Sequence, residues 1–96
     1  MEAVLEGKRI RSALDVHLQL EKLLDLPSYY GRNVHALWDV MTGNVERPLL
    51  LIWKDSALSR QALGEEFDQI VTVFERVQQQ DARHPDPEDR FTLRLE

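Results

Sequence analysis

Ninety-six residues with no cysteine, and 17 acidic side chains against 12 lysines and arginines for a formal net charge of −5, describe a single domain over residues 1–96 with one core. The charge argues against sequence-independent nucleic-acid binding, which needs clustered cations, and the missing thiols exclude a disulfide framework or a thiolate metal site. With no apolar run near the ~20 residues of a membrane span and no apolar segment in MEAVLEGKRIRS, the expected location is the cytoplasm, with no membrane partner.

Glu2 to Glu6 alternates, with Ala3 and Leu5 on one face and Val4 on the other, and Gly7 closes it as a turn would; this predicts a first strand. Ser12 followed by Asp15 has the form of a helix N-cap, and Ala13, Val16, Leu20, Leu23 and Leu24 then share a face until Pro27. A helix over about 13–25 follows. His17 lies at the edge of its apolar face and reads as a hydrogen-bonded structural histidine. In the loop 28–32, Gly31 offers a left-handed backbone, and Asn33 offers a cap for a second helix over 34–43 that stops at Gly43.

Pro48 to Lys54 is an unbroken apolar run, as expected of a central strand buried on both faces and ending in a core Trp53. Asp55 or Ser56 would cap a brief helix through Leu63, ended by Gly64. Phe67, Ile70, Val71, Phe74 and Val77 then mark an amphipathic helix over 65–81. After an extended, proline-containing stretch over 83–89, which leaves His84 in solvent, Phe91, Leu93 and Leu95 alternate as a last strand. Strands separated by helices imply parallel pairing, hence an α/β fold with a three-stranded parallel sheet and about four helices packed around it.

Helix 34–43 carries two stripes. Val34, Leu37 and Met41 form one, while His35, Trp38, Asp39 and Thr42 fall at i, i+3, i+4 and i+7 on another. A helix of this size has one face to bury. The second stripe mixes an indole, an acid, an imidazole and a hydroxyl, which makes a poor core and a good recognition surface, so Trp38 is expected to be exposed.

The run from Leu26 to Gly43 has the pattern LPxYYGxNxxALWDxxTG, with Arg47-Pro48 just beyond, AVLEGKRIRS near the start and VFER at Val73–Arg76. In these residues the chain resembles the barstar family, intracellular protein inhibitors of a small secreted bacterial ribonuclease, and the likeness runs weakly over almost the whole length. The resemblance implies the same three-stranded parallel fold, with a cis peptide bond at Arg47-Pro48. It also implies an interface at Tyr29, Gly31, Asn33, Trp38, Asp39, Thr42 and Gly43, in which the acid matching Asp39 enters the nuclease active site in place of a substrate phosphate. A carboxylate suits that role because a phosphate site is an array of cationic donors. The implied partner is a ribonuclease or related nuclease toxin, bound without a cofactor by a protein that is monomeric when free.

Departures from the pattern bear on specificity. The family has a carboxylate where this chain has His35, an acid at Arg32, a tryptophan at Asn44 and a glutamate at Arg76; Glu46 and Glu75 are further rim candidates. Between Gly31 and Arg47 the formal charges of Arg32, Asp39, Glu46 and Arg47 sum to zero. The expectation is a retained plug, Asp39 beside Trp38, within a rebuilt rim. Two other readings are open: a barstar-like domain for a target that is not a nuclease, and, ranked lower, a small hydrolase in which Asp39 orients His35 at i and i+4 as a general base. Against the hydrolase, the sequence offers no matching nucleophile, no phosphate loop and no third zinc ligand at a familiar spacing.

Overall fold

The computed structural model describes residues 1–96. In chain order it contains β1 (Glu2–Glu6), α1 (Ala13–Leu24), α2 (Val34–Gly43), β2 (Leu49–Lys54), α3 (Ser56–Leu63), α4 (Glu65–Asp81) and β3 (Phe91–Leu95), with 3₁₀ turns at Gly7–Arg9 and Pro87–Asp89. The strands form one sheet in the order β1-β2-β3 with both pairings parallel. Each strand-to-strand connection is therefore a crossover carrying a pair of helices.

In-register parallel pairing places Ala3, Leu51 and Leu93 in one row and Leu5, Trp53 and Leu95 in the next. This face is buried except at the end of β3, where Leu93 is half-buried and Leu95 exposed: Ala3, Leu5, Leu49, Leu51, Trp53 and Phe91 join Val16, Leu20, Leu37, Met41, Ile70 and Phe74 from the helices in one core. The opposite face is shallower, with Ile52 buried, Val4 and Leu50 half-buried, and Thr92 and Arg94 exposed. Trp53 is a core residue, as its strand position predicts. Its indole Nε1 donates to Ser59 Oγ at 2.9 Å, and its ring meets Phe67 at 5.0 Å between centroids.

Local chemistry sets the ends of the elements. Ser12 and Asp15 form a reciprocal capping box on α1. Gly7 is required by close approach, since a Cβ there would collide with the backbone carbonyls of Lys54 and Asp55. Asp55 does precede α3, but with φ 51° and no side-chain capping bond, while the Ser56 hydroxyl donates to Glu96 O at 2.9 Å. Neither side chain caps α3 as expected.

Side chains also close both outer edges of the sheet. Gln19 of α1 exchanges hydrogen bonds with the Glu6 backbone, its Oε1 accepting at 2.8 Å and its Nε2 donating at 3.2 Å. On the other edge Gln78 Oε1 accepts from Leu93 N and Asp81 Oδ2 from Phe91 N, each at 2.7 Å. These bonds satisfy edge groups that would otherwise be free to pair with another strand.

Asp81 has a second task. Arg47, whose peptide bond to Pro48 is cis, donates through Nε to Asp81 Oδ2 at 2.7 Å and through Nη1 to Val45 O at 2.7 Å. Both side chains are about nine-tenths screened from solvent, at 14% and 13% exposure. One carboxylate thus ties the end of α4 to the start of β3 and to the segment before β2. Asp81→Ala should cost about 2–4 kcal/mol by orphaning a guanidinium and an N–H together, read as a lowered urea midpoint.

His17 is buried at 3% exposure, and its Nδ1 shares a 2.6 Å hydrogen bond with the Tyr30 hydroxyl, joining α1 to the loop before α2. Burial lowers the imidazole pKa; Glu21 opposes that effect, Arg32 reinforces it and Glu66 opposes it more weakly. The unfolded chain then binds a proton that the folded chain refuses, so stability is complete above the ordinary value of 6.5 and is lost as pH falls below it. Urea midpoints should decline between about pH 7 and pH 5, and His17→Gln should flatten that slope.

Candidate functional site

Helix α2 is seated by Leu37, Val40 and Met41, all buried, with Val34 half-buried beside them. That seating turns His35, Asp39 and Thr42 outward, where all three are exposed. Asn33 starts the helix with both ends of its amide: Oδ1 accepts from Ala36 N at 2.8 Å and Nδ2 donates to Gly31 O at 3.1 Å. The expected cap is therefore present and also pins the preceding loop.

That loop differs from expectation in one detail. The left-handed residue is Arg32, at φ 53°, and not Gly31. Arg32 adopts it while its guanidinium forks onto Glu21 of α1, at 2.8 Å and 3.0 Å. The same pair holds the Glu21 carboxyl below its usual pKa range. Gly31 matters for proximity, since a Cβ there would sit 3.2 Å from Ala36 Cβ. Gly43 is the last helical residue and has no left-handed cap geometry; Asn44 N and Val45 N both close onto Val40 O instead.

Asp39 is unpaired and stands at the mouth of a groove. None of the ion pairs of the chain uses its carboxylate, and no side-chain hydrogen bond holds it. It borders a groove of about 260 Å³ walled by Pro27, Tyr29, Tyr30, Gly31, Ala36, Val40 and Asn44. Tyr29, 79% exposed, stands as the outer wall. The groove collects Tyr29, Gly31, Asp39 and Asn44 of the predicted set, and adds Pro27, Tyr30, Ala36 and Val40, which were not singled out. Ala36 and Val40 were legible as the i and i+4 neighbours bordering the Asp39 stripe.

The indole is the main correction. Trp38 is half-buried, not exposed: it packs against the edge of the core, and Arg76 of α4 lies over its ring with Cζ 5.1 Å from the centroid. A second groove on this side is lined by Trp38, Arg76, Gln79, Gln80 and Arg83. Thr42 is exposed, but its hydroxyl proton is spent on Trp38 O at 2.8 Å. Glu46 is exposed and lies with Asn44 on a third groove beyond the helix end. His35 and Asp39 form no hydrogen bond or ion pair, so the dyad that a hydrolase would need is not assembled. Nor do three His, Cys, Asp or Glu side chains gather as metal ligands would.

Charge on this face is sorted by pairing. Arg32 is occupied by Glu21, and Arg47 is turned inward onto Asp81. The zero balance read along residues 31–47 therefore does not describe what a partner meets. Asp39, Glu46, Glu75, Arg76 and Arg83 remain without intramolecular ion pairs.

The sequence that builds this site has counterparts among known proteins. A family model described as "Barstar (barnase inhibitor)" matches residues 1–95. A Bacillus subtilis (strain 168) protein described as "Putative ribonuclease inhibitor YrdF" is 36% identical over 77 residues, covering 80% of this chain and 85% of that protein. With the parallel β1-β2-β3 sheet, its helical crossovers and the LPxYYGxNxxALWDxxTG segment over the exposed face of α2, the chain belongs to the barstar family.

Proposed function

We propose that this protein is a non-enzymatic inhibitor that binds a ribonuclease, or a related nuclease toxin, and blocks its active site in the cytoplasm, in the manner of an antitoxin or immunity protein. The observation that carries the reading is the state of Asp39: an exposed carboxylate without an internal partner, on a helix held by its buried side and its cap. A nuclease that grips phosphodiesters presents convergent cationic donors, and a carboxylate held ready can accept them without first giving up a bond of its own. The adjoining groove behind Tyr29 offers room for a partner side chain next to that acid. No cofactor is needed for such a role.

The remaining surface charges are mixed in sign, which favours a partner selected by local contacts over one drawn in by a strong field. Association with the inhibited nuclease should fall by less than about threefold between about 50 mM and about 300 mM salt, measured by stopped flow, because little net attraction exists to be screened.

The central test is inhibition of a panel of small microbial ribonucleases, barnase among them, by the wild-type protein and by Asp39→Ala. Loss of one member of a desolvated charge pair should weaken inhibition by at least ~30-fold. The far-ultraviolet circular dichroism and urea midpoint should be unchanged, since an exposed helical acid without contacts adds little to stability. Equal inhibition by Asp39→Ala would remove the acid from the mechanism.

A further inference from the structure

The second groove, on the α4 side of the same helix, carries chemistry of opposite sign. Two guanidiniums, those of Arg76 and Arg83, line it with Gln79, Gln80 and the edge of Trp38. In a chain of net charge −5 both are exposed and neither is neutralised by a carboxylate of the molecule. Three other arginines of the chain are paired with carboxylates, Arg32 with Glu21, Arg47 with Asp81 and Arg94 with Glu96, while Arg60, like Arg76, rests on an aromatic ring without one.

Arg76 is also positioned. Its guanidinium rests over the Trp38 ring at 5.1 Å, within the range of a cation–π contact. That contact leaves the N–H donors of the guanidinium unused by any intramolecular hydrogen bond. A guanidinium with its donors free favours a planar, bidentate acceptor. It also covers the ring face it rests on, so that face cannot stack on a base or an aromatic side chain of the partner.

We propose that the groove between α2 and α4 receives a carboxylate of the same partner whose cationic site receives Asp39. The proposal rests on the inhibitor reading above and specifies the target further: its docking face bears an acidic side chain beside the phosphate-binding cations, at the position facing Arg76 and Arg83. A nucleic-acid phosphate would also suit two arginines, but the exposed acids Asp39 and Glu75 adjoin Trp38 and Arg76 in the chain and would repel a polyanion, whereas a single carboxylate on a folded protein can avoid them. The face thus reads its partner with paired signs, an acid on one side of Trp38 and a cation on the other.

The test uses the ribonuclease inhibited most strongly in the panel. Arg76→Glu and Arg83→Glu should each weaken inhibition by about 10-fold or more. Arg76→Lys keeps the charge and supplies an amine, so carbodiimide treatment of that complex should give an amide cross-link to one Asp or Glu of the nuclease, located by mass spectrometry. Replacing the located carboxylate by lysine should restore inhibition by Arg76→Glu. Full inhibition by both glutamate variants, with Asp39→Ala inactive, would overturn this inference and leave the inhibitor reading standing. Retained inhibition by Asp39→Ala, or no inhibition of any panel member, would take both down. Saturable quenching of tryptophan emission by a short oligoribonucleotide at micromolar concentration, lost in Arg76→Glu, would assign the groove to RNA and overturn the proposal.

Discussion

Burial of Leu37, Val40 and Met41 leaves α2 a single rotation on the body of the protein, and the candidate site depends on that seating. Once those three side chains are inside, Asp39 must point out and Trp38 must lie on the flank toward α4, while the preceding loop sets Tyr29 on the groove that Asp39 borders. Preceding structure is then drawn into place: the amide of Asn33 holds both the first turn and the Gly31 carbonyl, and Tyr30 reaches down to the His17 imidazole. A carboxylate on a support of this kind has few conformations to lose on binding, which lowers the entropic cost of association. The sheet contributes rigidity from below, its outer edges closed by Gln19, Gln78 and Asp81.

Electrostatics on this molecule is organised by which charges are satisfied internally. Arg47 and Asp81 serve the fold, sharing a largely buried pair that joins β3, α4 and the segment entering β2. Arg32 and Glu21 serve the loop that carries the groove. Among the charges without such duties are those on either side of Trp38, with Asp39 on one groove and Arg76 and Arg83 on the other. Net charge is a poor guide to a surface like this, because a sum taken over a segment counts arginines that are already occupied. Relative to the family pattern, the change from glutamate to Arg76 replaces an acid by a cation lodged on the indole, a change of sign at fixed scaffold. Partner choice can be altered in this way with little cost to the core.

Periodicity located β1, β3, α1, α2 and α4 because each buries one side, and the 3.6-residue and two-residue repeats record that burial directly, while β2 was legible as an unbroken apolar run and α3 from the residues that bound it. The same argument placed Trp53 in the core and Asp39 in solvent. It did not reach Trp38, whose cover comes from Arg76 on another helix, a contact that angular position on α2 alone cannot reveal. Arg32 shows a second limit: glycine propensity pointed to Gly31 for the left-handed turn, yet the fork onto Glu21 supports that backbone at the neighbouring residue. Asp55 and Ser56 were readable as capping types, but strand β3 brings the Glu96 carbonyl within reach of the Ser56 hydroxyl, and the longer-range bond prevails. In each case the missing information was a partner distant in the chain, where tertiary contact outweighs local preference.

The claim at the centre is that one carboxylate occupies the place in a nuclease that a phosphate of RNA would fill, so inhibitor and substrate exclude each other. Steady-state cleavage of a short RNA, measured over a range of substrate at several inhibitor concentrations, tests that directly. The account predicts a rising KM at constant kcat, with a nucleoside monophosphate displaced from the nuclease as the inhibitor binds. A lowered kcat at saturating substrate, or a complex in which inhibitor and nucleotide are held together, would contradict it.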